Sequence, residues 1–122
     1  MTMDFKGYDK GPEAPIVCLV GSTSFITAFA IVGFELERAG YIAVGCHYLP
    51  PGYPETHAAE YLGCKDEMDR PHFRKIELAR CIVAINVDDY LGESSSREIA
   101  YAKSLGKPVL YLYPHKEEDV KP

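Results

Sequence analysis

Apolar residues in this chain fall into short unbroken runs separated by longer stretches in which apolar and charged positions alternate with helical spacing. PIVCLV (15–20) is continuous, rich in β-branched residues and closed by Gly21, the pattern of a strand buried on both faces. From about Phe25 to Ala39 the residues Phe25, Phe29, Ile31, Val32, Phe34, Leu36 and Ala39 cover more than one face of a helix. Glu35, Glu37 and Arg38 gather towards its end, and Gly40 stands where a helix C-terminus favours glycine. YIAVG (41–45) gives a second strand. A charged helix from about Asp66 to Arg80 turns Met68, Phe73, Ile76, Leu78 and Ala79 inward, with Pro71 marking its true start or a kink. CIVAINV (81–87) is a third strand, a helix runs from about Ser95 to Leu105 and stops at Gly106, and KPVLYLY (107–113) is a fourth strand.

This alternation predicts an α/β fold: a three-layer open parallel sheet, flavodoxin- or Rossmann-like, with strand order 2-1-3-4, right-handed crossovers and helices on both faces. One domain spans 15–113, after a loose lead (1–14) and before a solvated tail (114–122). In such sheets ligands bind beyond the carboxyl ends of the strands, where the order reverses between strands one and three. The loops at that edge are GSTSF (21–25), the long segment from Cys46 and VDDYLGESSS (87–96). The long segment, CHYLPPGYPETHAAEYLGCK, exceeds a plain connection. Its prolines forbid regular structure early, ETHAAEYL allows two helical turns, and the whole reads as a lid over a site.

Length and charge narrow the function. With 122 residues there is room for one site in one domain, and 13 basic against 18 acidic residues leave a net charge of −5. That balance argues against a nucleic-acid polymer or an anionic membrane as partner. No apolar run reaches spanning length and the opening MTMDFKGYDKGPEAP lacks the apolar middle of a signal peptide, so a cytoplasmic protein is expected. Cys18 and Cys81 lie inside strand runs and read as reduced core thiols. Cys46, His47, His57 and Cys64 match no zinc-ligand spacing, so no metal and no cofactor are expected.

Candidate chemistry sits at the edge loops. In GSTSF, Gly21 allows a tight turn, and the hydroxyls of Ser22, Thr23 and Ser24 stand at a helix start. One of them is expected to cap that helix, and the free N–H groups favour an anion. Ser94, Ser95 and Ser96 repeat the arrangement, so two serine-rich helix starts converge on one crevice, suited to a phosphate or sugar hydroxyls. Ser95-x-x-Glu98 fits a capping box. Against that purely structural role, Glu98, Ala102 and Leu105 fall at i, i+4 and i+7 with Ile99 alongside, which points Glu98 into the crevice. Asn86, Asp88, Asp89 and Tyr90 share this edge, and Tyr8, Tyr48, Tyr53 and Tyr61 offer surface for stacking a base. His72 and Lys75 read first as a solvated helical face, with an anion clamp as the alternative.

The motifs VGSTSF (20–25), HFRKIELA (72–79), INVDDYLGESSSREIAYA (85–102) and GKPVLYLY (106–113) together resemble the nucleoside 2-deoxyribosyltransferase-like superfamily, in particular chains with H-x-x-K-I and Y-x-G-E-S. The resemblance covers residues 15–113. It implies a domain that binds nucleosides or nucleotides, in which Glu98 attacks the anomeric carbon, a glycosyl-enzyme forms as the base leaves, and transfer to another base or to water follows. It further implies that Gly21, Ser22, Thr23 and Ser24 with Gly92, Ser94, Ser95 and Ser96 hold a 5′-phosphate, that His72, Lys75, Asn86 and Tyr90 join the binding set, and that subunits associate as a homodimer or larger homo-oligomer. Family members carry one aspartate on the helix before the third strand, where this chain has His72 and Lys75, and another in the loop after it, for which Asp88 and Asp89 are the candidates. N-glycosidic cleavage is the leading expectation, ahead of base exchange, and a non-catalytic nucleotide-binding sensor with the same pocket is the alternative. The apolar surplus of FITAFAIVGF is the expected interface.

Overall fold

The computed structural model describes residues 14–47, 63 and 65–116. The lead up to residue 13, most of the lid segment with Tyr48, Tyr53, His57, Tyr61 and Cys64, Tyr8, and the tail beyond residue 116 lie outside the described residues. The elements are β1 (Ile16–Gly21), α1 (Ile26–Arg38), β2 (Ile42–Val44), α2 (Lys65–Leu78), β3 (Cys81–Ile85), a 3-10 turn (Val87–Asp89), α3 (Glu93–Ser104) and β4 (Val109–Tyr111). The four strands form one parallel sheet in the order β2-β1-β3-β4. The switch point therefore falls between β1 and β3, where Gly21 pairs with Ile85.

Alternation along the two central strands divides the core. Val17 and Leu19 of β1 with Val83 and Ile85 of β3 pack under Ala28, Phe29, Val32 and Leu36 of α1. Cys18 and Val20 with Ile82 and Ala84 face the other way, against Ile76 of α2 and Ile99 and Ala102 of α3. Both faces of β1 and β3 are thus covered, which is why their sequences are continuous apolar runs. The surplus on α1 points outward: Phe34 is 67% exposed and Ile31 is exposed as well. Met68, Leu78 and Leu105, expected in the core, are also exposed. Leu105 lies just past the last turn of α3, where the chain turns away towards β4. The helix α2 runs through Pro71 without starting there. Among the described residues, no helix is long and apolar enough to cross a membrane.

Gly21 has a physical reason other than a tight turn. A Cβ there would meet the Ile85 carbonyl oxygen at 2.9 Å and the Ile85 Cβ at 3.0 Å, so the backbones of β1 and β3 approach at the switch point too closely for any side chain.

Candidate functional site at the switch point

Neither edge helix is capped as its hydroxyls suggest. The N-cap of α1 is Phe25, with no side-chain bond. Ser22 instead closes a turn: its carbonyl accepts the Phe25 N–H at 3.0 Å, and its hydroxyl accepts the Ser24 N–H at 3.2 Å and lies 2.7 Å from the Ser24 hydroxyl. The N-cap of α3 is Gly92, again with no side-chain bond. Serine is the better intrinsic cap, but a Cβ at residue 92 would come within 3.2 Å of the Tyr90 hydroxyl. The Tyr90 ring lies over Gly92 and meets Phe25 edge-on, with centroids 6.1 Å apart at 83°. One exposed aromatic therefore bridges the two helix starts, and both starts leave their first N–H groups without a capping side chain.

The earlier start of α3 removes the capping box, because Ser95 becomes the third helical residue and Glu98 the sixth. Glu98 also lies beyond the first turn, where the helix dipole has largely faded. The buried stripe of α3 is Ser95, Glu98, Ile99 and Ala102, at i, i+3, i+4 and i+7. It delivers the carboxylate to His72 of α2: Glu98 Oε2 lies 2.9 Å from His72 Nε2, with side chains only 12% and 7% exposed. His72 is therefore no part of a solvated face. Facing a carboxylate oxygen, Nε2 is the ring nitrogen that donates, which leaves Nδ1 to find its own partner. That Nδ1 is buried and meets no partner among the described residues.

Lys75, one turn along α2, is likewise turned inward, and its ammonium donates to the Gly45 carbonyl at 2.7 Å. The two remain neighbours on one helical face as their spacing of three predicted, but that face meets the sheet. Beside Lys75 opens a cleft of about 400 Å³, lined by Ala43, Val44, Gly45, Cys46, His47 and Lys75. Two thiols share this neighbourhood. Burial pushes Cys18 up to about 12, with the Glu98 carboxylate adding to the rise and the Lys75 ammonium opposing it. Cys46 is raised as well, first by burial and then by Glu98. Both stay protonated near neutral pH, so Lys75 and Glu98 are the opposed charges of the region. Gly45 entered the sequence reading as the end of the second strand and Cys46 as the start of a long loop and a rejected metal ligand, because nothing local links them to a lysine about thirty residues on.

The remaining candidates are placed differently. Asn86 is fully buried, and its amide is spent inside the fold: Nδ2 donates to Asp89 Oδ1 and to the Tyr113 carbonyl, both at 3.0 Å, while Oδ1 accepts the Tyr113 N–H at 2.9 Å. It brackets the turn after β3 to the chain after β4 and leaves no group aimed at a ligand. Asp88 and Asp89 take left-handed backbone angles, φ 54° and 55°, which aspartate tolerates better than most residues. Asp89 faces His115, whose Nδ1 is 2.6 Å from Asp89 Oδ1. It is His72, and neither aspartate, that meets Glu98. Ser96 is exposed and Ser95 buried. The Arg97 guanidinium, not among the expected residues, donates to the Ser94 hydroxyl at 3.3 Å and adds a cation at this helix start.

The His115 contact, and after it the Asn86 amide, hold the Asp89 carboxyl below its ordinary value of 3.8. A carboxyl lowered by folding stabilises the native state above its unfolded pKa, and that contribution disappears as pH falls through the folded value. Asp89→Asn is therefore expected to lower the melting temperature slightly at pH 6, with the gap to wild type closing below about pH 4. Melting curves across pH 3–7 check this, and a gap that widens in acid contradicts it.

Family models, curated proteins and solved structures give no match to the chain.

Proposed function

We propose that this protein cleaves the N-glycosidic bond of a nucleotide, with Glu98 as nucleophile and water as the acceptor. The observation that carries the reading is the buried Glu98–His72 pair, 2.9 Å apart, beneath an edge where two uncapped helix starts meet across Tyr90. A carboxylate withdrawn from water and oriented by an imidazole is suited to attack an anomeric carbon through an oxocarbenium-like transition state. First-turn N–H groups lacking a side-chain cap suit a phosphate, with the hydroxyls around Ser22 and Ser94 and the Arg97 guanidinium beside them. Tyr90, more than half exposed, offers its ring to the sugar or the base. The motifs shared with nucleoside 2-deoxyribosyltransferase-like proteins supply the reaction class. In this reading the enzyme is cytoplasmic and acts as a homodimer or larger homo-oligomer.

The alternative is a nucleotide sensor with the same pocket and no turnover. It is favoured by two features: one Glu98 oxygen is already engaged by His72, and Asp89, a candidate for the family's loop aspartate, is engaged by His115. A thermal-shift screen of ribo- and deoxyribonucleotides, followed by chromatography for released base, separates the two. Ligands of cleavage raise the melting temperature and yield free base. Tight binding with no base after long incubation selects the sensor, and no shift with any nucleotide removes both.

A further inference from the structure

Among the described residues, the lining of the cleft beyond β2 has one cation and no carboxylate. Ala43 and Val44 provide apolar wall, Cys46 a neutral thiol, and Lys75 an ammonium whose Nζ makes one hydrogen bond among the described residues, to the Gly45 carbonyl. An ammonium has three N–H donors and no acceptor. The remaining donors therefore select a ligand oxygen and reject an amino group. The volume, about 400 Å³, lies within the roughly 300–1,000 Å³ typical of small-molecule sites. Lys75 follows His72 by one turn on the same face of α2, so the cleft opens beside the pair that holds Glu98.

We infer that this cleft receives the departing heterocycle, and that Lys75 selects bases with a carbonyl oxygen conjugated to the glycosidic nitrogen. This rests on the cleavage reading above. As a Glu98 oxygen bonds to the anomeric carbon, the C–N bond breaks and its electron pair stays with the base, spread through the ring onto the carbonyl oxygen. The Lys75 N–H donates to that oxygen and stabilises the developing charge. Water then adds its oxygen to the anomeric carbon, the bond to Glu98 breaks to restore the carboxylate, and the proton released from water ends on the base nitrogen. A base with an amino group in the same place offers Lys75 no acceptor.

Inosine and adenosine 5′-monophosphates, in ribo and deoxy forms, differ at that one substituent and are the probes. Wild type is expected to prefer the inosine nucleotides by about tenfold or more, in kcat/KM and in calorimetric affinity. Lys75→Met is expected to erase the preference, bringing the inosine nucleotides to the level of the adenosine ones, and Lys75→Arg to keep it. A loosened loop would weaken all four ligands alike, so the ratio isolates the ammonium. Wild type without the preference, wild type binding none of the four, or a preference that survives Lys75→Met overturns the inference. A preference in binding that Lys75→Met erases, with no base released by wild type, sinks the cleavage reading and leaves the subsite standing. Base release indifferent to Lys75 does the reverse.

Discussion

Glu98→Gln is expected to stop base release, by at least about 10³-fold, while the melting temperature stays within about 2 °C of wild type. The amide has the carboxylate's shape and keeps an oxygen that accepts the His72 Nε2–H across the same 2.9 Å, so the buried donor stays paired. What it loses is the capacity to form an ester with the sugar. Glu98→Ala loses both, leaving the Nε2–H buried without an acceptor at a cost of about 1–3 kcal/mol. Chromatographic assay of free base and calorimetric melting of the two variants check this. A glutamine variant that releases base at the wild-type rate ends the nucleophile assignment. Good stability of Glu98→Gln does not by itself speak for a helix cap, because Glu98 is the sixth residue of α3 and not near its N-cap Gly92.

His72→Ala carries the second large effect. It leaves a carboxylate buried at 12% side-chain exposure without the partner it has among the described residues, and is expected to cost about 1–3 kcal/mol, a fall of roughly 4–10 °C in melting temperature. Base release is expected to fall through kcat with nucleotide affinity little changed, the outcome for an imidazole that orients the nucleophile; a loss of affinity instead returns His72 to the binding set. His72→Gln, which still presents an N–H, recovers part of both. In the double variant with Glu98→Ala the second substitution removes a partner that has already lost its function. The combined loss is therefore expected to fall short of the sum by about 0.5–3 kcal/mol. Strict additivity in a double-mutant cycle removes the pair as an energetic unit.

The sheet was legible because burial on both faces writes itself into the chain as unbroken apolar runs, and because Gly40 and Gly106, both at positive φ, mark helix ends by a requirement local to one residue. The inward aim of Glu98 was legible for a similar reason: Ile99 and Ala102 define its stripe. What escaped depends on partners distant in sequence. Serine outranks glycine as a cap until Tyr90 lies across Gly92. Charges surround α2 on all sides in KDEMDRPHFRKIEL, so periodicity could not show that His72 and Lys75 face Glu98 and Gly45. Asn86 looked like a ligand group at a strand end, and only its bonds to Tyr113, 27 residues on, reveal a bracket.

The G-K-P-V stretch before β4 has its own consequence. Lys107 donates to the Glu77 carbonyl at 2.7 Å and also to the Ala79 carbonyl, so it closes the open carbonyl end of α2. The helix that holds His72 and Lys75 is thus tied off by the segment that leads into the final strand. During synthesis, a chain that has emerged only as far as Leu105 already contains Glu98, His72 and Lys75 but lacks this tie, and the end of α2 is closed only when the segment before the last strand docks.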